Sequence, residues 1–432
     1  MEHLVRKKRK RVLLTTVPMP AISFVNQIPG RKISPRDLDT IEDCLLLANN
    51  ESYLGGRFQP SIGLRFLKEN IPSVDILEFP QWGEYKEALK QGYDAVGISF
   101  YTTHFYDATL MANMAREAGV KEVWAGNYGA LTPSTDQVFD RLFLGCAERE
   151  LKQTIEGGTI ERIRHPIITT PFKSVLSPEK EAGYLFTNRG CRFKCQFCCS
   201  PIFSPRVDAI SMDEIQRVLG VYKEMGIEYI IIGDETFMQY RGRALEVIDM
   251  LHRMEMRWFC TTRADLLEGH VKMLHRNGFD SVYMGVESMN NGNLKSQQKG
   301  QPVERIIAVV HELKQSGIST SGTYILGLPD DTIPSIKEDL ERLKDLALDI
   351  VIFLIMTPYP ELPIYRELKS REQIIDENWR HYDGMHMVFR HPNITPVEAG
   401  EVLSYAIRNV YGPYSLNKRR VLMQIGRLAS AR

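Results

Sequence analysis

Four of the seven cysteines in this 432-residue chain crowd into one short stretch, at Cys191, Cys195, Cys198 and Cys199. The first three have the spacing C-x3-C-x2-C. Thiolates bind soft metals, and three on one short loop can hold three irons of a [4Fe-4S] cluster while the fourth iron stays open to a substrate. Gly190 permits a sharp turn into the loop, and Phe197, between the second and third thiols, can shield a cluster from water. The competing chemistry is a closed site, either structural zinc or an electron-transfer cluster with a fourth protein ligand. Zinc usually takes four ligands, commonly in two distant pairs, and outside the loop only Cys44, Cys146 and Cys260 exist, none with a partner cysteine. Cys199 is the nearest fourth ligand, but adjacent cysteines rarely reach one metal together. Seven cysteines in a chain of this size make no disulfide scaffold, so the thiols point to metal binding in a reducing compartment, the cytoplasm.

A loop of this kind needs a rigid element to hold it. Apolar strand-like runs occur at Tyr184 to Thr187, Tyr229 to Ile232, Trp258 to Thr262, Ser281 to Val286, Ser319 to Leu326 and Asp349 to Met356. Helical patterns separate them at Ser211 to Met225, Arg243 to Met254, Leu267 to Asn277, Val303 to Ser316 and Ile333 to Leu346. Six strand–helix units in series predict an open (β/α)6 partial TIM barrel, with the cysteine loop at the carboxyl end of its first strand, where such barrels carry their sites. Asp234, Glu235, Arg263 and Glu287 each follow an apolar strand, where a charge is costly unless it faces a partner or the site mouth. Site roles and structural ion pairs across the rim are both open to them.

An earlier alternation, with strands at Val12 to Val17, Val74 to Glu78, Ala95 to Phe100, Glu122 to Ala125 and Leu142 to Leu144, predicts a doubly wound, Rossmann-like parallel sheet. Helices are expected at Ile62 to Glu69, Tyr85 to Lys90 and Tyr106 to Glu117. The long connection from Pro18 to Pro60, with a helical stretch near Pro35 to Asn49, reads as a lid or binding loop. The basic run Arg6 to Arg11 reads as a solvated flank. The expected domains are 1–158, a linker at 159–180, the barrel at 181–370, and a small α-helical C-terminal region at 371–432. In that last region Thr395-Pro396-Val397-Glu398 is a capping box opening a helix towards Val410. Lys plus Arg and Asp plus Glu balance at 54 each, which argues against a general nucleic-acid binder. No apolar run approaches the roughly 20 residues of a membrane span.

The triad on the loop after the first strand of a partial barrel resembles the hallmark of the radical S-adenosylmethionine (radical SAM) superfamily. The resemblance covers roughly Tyr184 to Leu368. It implies that Gly233-Asp234-Glu235-Thr236-Phe237 contacts the amino group of S-adenosylmethionine, and that Arg263 and Glu287 hold its methionine carboxylate and ribose. Gly322 to Pro329 would lie beside the adenine, and Thr357-Pro358-Tyr359-Pro360 resembles the family's exit from the sixth strand. The implied cofactors are a [4Fe-4S] cluster and S-adenosylmethionine, with an electron from a partner such as flavodoxin or ferredoxin.

The first domain resembles the cobalamin-binding-like domain of one large subclass. Gln59-Pro60-Ser61-Ile62-Gly63-Leu64, Asp94 to Phe100, Trp124 to Pro133 and Leu144 to Glu150 carry that resemblance. Two departures stand out: Gly126-Asn127 replaces the usual glycine pair, and Gly145-Cys146-Ala147-Glu148 the usual acidic turn. No Asp-x-His-x-x-Gly motif supplies a cobalt ligand, and His104 is the nearest histidine. Cobalamin, if bound, would thread beside Tyr101, Thr102, Thr103, Gly126, Asn127, Gly129 and Ala130. The resemblance then implies radical C-methylation; without cobalamin it implies oxidation, rearrangement or ring formation. A non-catalytic iron–sulfur protein is the reading from another class. The expected partner is a small molecule, whether lipid, tetrapyrrole or antibiotic precursor, or a peptide. Tyr101, Tyr106, Tyr128, His381, Tyr382 and His386 are candidates to line its cavity between the domains.

Overall fold

The computed structural model describes residues 10–18, 60–172 and 180–410. The basic flank through residue 9, the expected lid at 19–59 and the chain after 410 lie outside the described residues. Two compact units divide the chain close to Pro166 and Ile167.

In the first unit the strands β1 (Val12–Thr16), β2 (Asp75–Leu77), β3 (Ala95–Ser99), β4 (Glu122–Gly126) and β5 (Arg141–Phe143) form one parallel sheet in the order β2-β1-β3-β4-β5. All five lie within a residue or two of the expected runs. Val12, Leu14, Ala95, Trp124 and Phe143 are buried from the strands, and Leu64, Ile71, Leu151 and Ile155 from the helices 62–70 and 148–156 complete that core. Near-continuous apolar strands suit a sheet covered on both faces. This order reverses direction at β1 and β3, and doubly wound sheets bind ligands beyond the carboxyl ends at such a point.

The second unit holds β6 (Thr169–Phe172), β7 (Lys180–Leu185), a two-stranded ribbon of β8 (Asn188–Arg189) and β9 (Asp208–Ala209), then β10 (Tyr229–Ile232), β11 (Arg257–Thr262), β12 (Phe279–Glu287), β13 (Ser319–Leu326) and β14 (Ile350–Ile355). The sheet order is β14-β13-β12-β11-β10-β7-β6. Six strands run parallel in sequence order, and among the described residues β14 does not pair with β7, so the barrel is open as expected. β6 corrects the reading of 159–180 as irregular linker: it pairs antiparallel with β7. Its Pro171 suits an edge strand, and that proline hid the strand from a periodicity reading.

Local chemistry fixes the helices between the strands. Ser211 caps the helix Met212–Glu224 by accepting from the Glu214 N–H, and Thr332 forms a capping box with Ser335 ahead of Ile333–Leu346. Beyond β14, the helix Pro363–Ser370 follows. The capping box at Thr395 and Glu398 forms, with Thr395 N–H donating to Glu398 Oε2 at 2.8 Å, and residues 396–410 are helical. Among the described residues, no helix is long and apolar enough to cross a membrane.

Candidate active site

β7 ends at Leu185, and just beyond it the chain must turn at Thr187 and Asn188 to present the cysteine loop. Asp234, just past β10, makes that turn. Its carboxylate accepts from the Thr187 N–H (2.7 Å), the Thr187 hydroxyl (2.6 Å) and the Asn188 N–H (3.0 Å). Both its oxygens are engaged and the residue is 1% exposed, so Asp234 braces the loop rather than facing a mouth. Burial pushes its pKa up to about 6, against the lowering effect of those hydrogen bonds. Glu235, half-buried beside it, accepts from the Gly190 N–H at 2.8 Å.

Gly190 has φ +99 and supplies the turn. Gln239, 2% exposed, then brackets Cys191: its amide donates to the Gly190 carbonyl (2.9 Å) and accepts from the Arg192 N–H (2.9 Å). The Cys191 sulfur lies 3.5 Å from the Thr236 hydroxyl, and the Cys198 N–H donates to the Cys195 carbonyl in a tight turn. Among the described residues no three His, Cys, Asp or Glu side chains stand at metal-ligating distance of one point. The triad is therefore carried by a loop pinned at its backbone, with its thiols on irregular chain between Gly190 and Ser200.

Arg263, at the end of β11, packs its guanidinium 4.2 Å over the Phe193 ring of this loop and pairs with Asp265 through Nε (2.9 Å) and Nη2 (3.0 Å). Its Nη1 is buried and has no hydrogen-bond partner, as does the Thr262 hydroxyl next to it. A buried, unpartnered guanidinium N–H is costly unless an anion takes it, so this donor fits the carboxylate of an amino acid-like cofactor.

Glu287 ends β12 at φ +67, where the register against β13 shifts. It forms an ion pair with Lys299 at 3.0 Å, both side chains under 10% exposed. Lys299 in turn lies 5.9 Å from the centre of the Phe197 ring. Burial raises the pKa of Cys195, and Lys299 and Arg263 offset this. The cations needed to balance thiolates thus stand around the loop, and the donor set fits a cluster.

The sequence reading missed the segment Gln297 to Gln301. The Gln196 N–H donates to the Gln297 carbonyl (3.0 Å). Gln301 donates to the Gly285 carbonyl (3.1 Å) and accepts from the Asp265 N–H (3.3 Å). One polar turn therefore joins the cysteine loop, β11 and β12. Its signal was present as a run of polar residues with Gly300 after a short helix, which reads equally well as surface.

His381 and His386 stack at 4.6 Å, with Nδ1 of His381 on Asp376 (2.6 Å) and Nδ1 of His386 on Asp383. The turn carrying them meets the carboxyl end of β14, where the Ile355 N–H donates to the Gly384 carbonyl. Tyr382 is fully buried and belongs to the core.

In the first unit the loops after β3 and β4 divide by exposure. Tyr101 is 56% exposed and lies parallel to Tyr128 at 6.1 Å. Thr102, Gly129 and Ala130 are buried. Thr102 accepts from the Thr132 hydroxyl, and Thr103 is within 3.1 Å of His104 Nδ1. A Cβ at Gly129 would collide with the Phe100 ring, so the position is small to admit Phe100. At Gly126 nothing lies closer than 3.9 Å to a built Cβ, which leaves room for an approaching group. Asn127 adopts φ +66, ψ −172 with its side chain accepting from the Tyr128 N–H.

Residues 185–343 match the Radical SAM superfamily. The chain carries a radical SAM domain. This implies a [4Fe-4S] cluster and S-adenosylmethionine as its cofactors. An uncharacterized methyltransferase of Pyrococcus horikoshii is 26% identical over 86% of this chain and 91% of its own length. Bacteriochlorophyllide d C-8(2)-methyltransferase of Chlorobaculum tepidum is 22% identical over 71% of this chain and 75% of its own. The fold is shared with the radical SAM methyltransferase TsrM of Kitasatospora setae, solved with cobalamin and a [4Fe-4S] cluster, at TM-score 0.67 and 13% identity over 98% of this chain and 100% of that one.

Proposed function

We propose that this protein is a cobalamin-dependent radical SAM C-methyltransferase. The observation that carries the reading is the site at the barrel mouth: a three-cysteine loop pinned by Asp234, Glu235 and Gln239 beside a buried, unpartnered Arg263 donor. Support for methyl transfer comes from the methyltransferase names of relatives aligned over most of the chain, and from the N-terminal sheet with its switch point. When bound, the cluster and S-adenosylmethionine supply a 5'-deoxyadenosyl radical that abstracts hydrogen from an unactivated carbon, and cobalamin supplies the methyl group.

The chain's own residues hold and orient these groups. Cys191, Cys195 and Cys198 ligate the cluster. Glu235 faces the amino group of S-adenosylmethionine, Arg263 Nη1 binds its carboxylate, and Glu287 accepts from its ribose hydroxyls. In the first unit, Tyr101, Thr103, Gly126 and Asn127 line the cobalamin side of the strand ends, with no protein ligand to cobalt. The relatives support a tetrapyrrole as the first substrate class to try, with lipids and antibiotic precursors next. A flavodoxin or ferredoxin supplies the electron, and the reduced thiols suit the cytoplasm.

The test uses protein purified anaerobically from cells supplied with cobalamin. It should carry a corrinoid absorption band and, with dithionite and S-adenosylmethionine, release 5'-deoxyadenosine. Release of 5'-deoxyadenosine without any cobalamin uptake would remove the methyltransferase reading and leave oxidation, rearrangement or ring formation. A cluster with four protein ligands and no cofactor cleavage would replace it with electron transfer.

A further inference from the structure

Two costs coincide beside the cysteine loop. Glu287 and Lys299 form an ion pair with side chains only 8% and 7% exposed, and burying such a pair generally stabilises a fold no better than apolar residues would. Glu287 also holds a backbone conformation, φ +67, that non-glycine residues enter at a cost. The surroundings are built to keep the pair in place. Gly285 has no side chain, and a Cβ there would collide with the Glu287 carboxylate and the Lys299 ammonium. Lys299 sits on a turn fixed by Gln298 and Gly300, both at positive φ, and tied to the cysteine loop through Gln297 and Gln196. The ammonium reaches the ring of Phe197, the residue between the second and third cysteines.

We propose that Lys299 and Glu287 together set the reduction potential of the cluster, Lys299 acting as a positioning charge that raises it and Glu287 as one that lowers it. This rests on the cluster assignment above. Reduction adds one electron to the cluster, supplied by the external reductant, and no bond is made or broken. A nearby positive charge stabilises the added electron and a nearby negative charge destabilises it. In a water-poor surrounding neither effect is screened as it would be in solvent. The Lys299 ammonium lies 5.9 Å from the centre of the Phe197 ring, between the second and third cysteines, and holds Glu287 at 3.0 Å, which places both charges beside the loop.

The experiment is a redox titration of the reconstituted full chain, without S-adenosylmethionine, followed by the electron paramagnetic resonance signal of the reduced cluster. Lys299→Met should shift the midpoint to more negative potential, Glu287→Gln to more positive potential, and Lys299→Arg should stay near the parent. Midpoints that do not move, or that move in the same direction for Lys299→Met and Glu287→Gln, overturn the proposal. If Lys299→Met fails to retain iron and sulfide, Glu287→Gln decides alone: its midpoint must rise. Loss of the cluster from both of these and from Lys299→Arg assigns the pair a purely structural role and also overturns it. A parent chain that binds no [4Fe-4S] cluster would instead refute the functional reading itself.

Discussion

Gln239→Leu removes a clamp without touching a thiol. The side chain is buried and both ends of its amide bond the loop, the NH2 donating to the Gly190 carbonyl and the oxygen accepting from the Arg192 N–H, each at 2.9 Å. Leu has similar bulk but leaves both backbone groups without that partner. Gly190 is buried and Arg192 exposed, and an unsatisfied buried group costs about 1–3 kcal/mol, so the pinned loop loses roughly 1–3 kcal/mol relative to its open forms. That is about a 5- to 140-fold shift of the loop equilibrium at about 1.4 kcal/mol per factor of ten. Helices and strands elsewhere keep their contacts, so the thermal midpoint should move little. The readouts are iron and sulfide per chain after anaerobic reconstitution and amide exchange in the peptide around residues 189–200. Iron should fall and exchange should accelerate in that peptide alone. A Gln239→Leu protein with the parent's iron content and unchanged exchange would refute the clamp.

Single Cys191→Ala, Cys195→Ala and Cys198→Ala changes should abolish both the site-differentiated cluster and 5'-deoxyadenosine release, whereas Cys199→Ala should keep both; cleavage by any of the first three would overturn the ligand set. Asp331 accepts from the Gly327 and Leu328 N–H groups and from Asn293, and burial raises its pKa from 3.8 to about 6. A carboxyl whose folded pKa lies above its unfolded one favours folding most below pH 3.8 and loses that contribution as pH rises towards 6, here about 3 kcal/mol. Asp331→Asn should therefore flatten the fall in thermal midpoint between pH 4 and pH 6.5, with Asn293 able to turn its unpartnered Oδ1 towards the new amide; an unchanged slope would contradict the assignment. Gly129→Ala should destabilise the first unit by roughly 1–3 kcal/mol through overpacking against Phe100, while Gly126→Ala should be nearly neutral. Equal denaturation curves for the two would show that the Phe100 contact does not matter.

The alternation of strands and helices was legible because the strands of the two large sheets apart from β6 are parallel, and many of them are short, mainly apolar runs such as Tyr229 to Ile232. β6 was not, because an antiparallel edge strand with a proline carries little of that pattern. In the site, spacing alone marks the cysteine triad as the candidate ligand set. The charges at strand ends were found, but their division of labour was not. Asp234 and Glu235 are neighbours in sequence, yet Asp234 turns in to brace Thr187 and Asn188 while Glu235 reaches Gly190. Lys299 was invisible for a different reason: its role depends on Glu287, twelve residues away and on another element, and a lysine beside a glycine reads first as surface.

Asn127 and Glu287 make a shared physical point. Each stands at the carboxyl end of a parallel strand, β4 or β12, at φ +66 and φ +67. The ψ of −172 at Asn127 puts it in a region that glycine occupies almost alone. At Gly126-Asn127 the backbone follows a glycine-like path, and the Asn side chain accepts from the next N–H in partial compensation. Such strain, about 1–3 kcal/mol at a site, persists only where surroundings over-determine the conformation. At Glu287 they do so through Lys299 and the missing side chain of Gly285. At Asn127 they do so through the turn that seats Gly129 against Phe100. A chain under selection for stability alone would relax either position with glycine. Both strained residues stand at the carboxyl ends of parallel strands, the edge at which such sheets place their ligands.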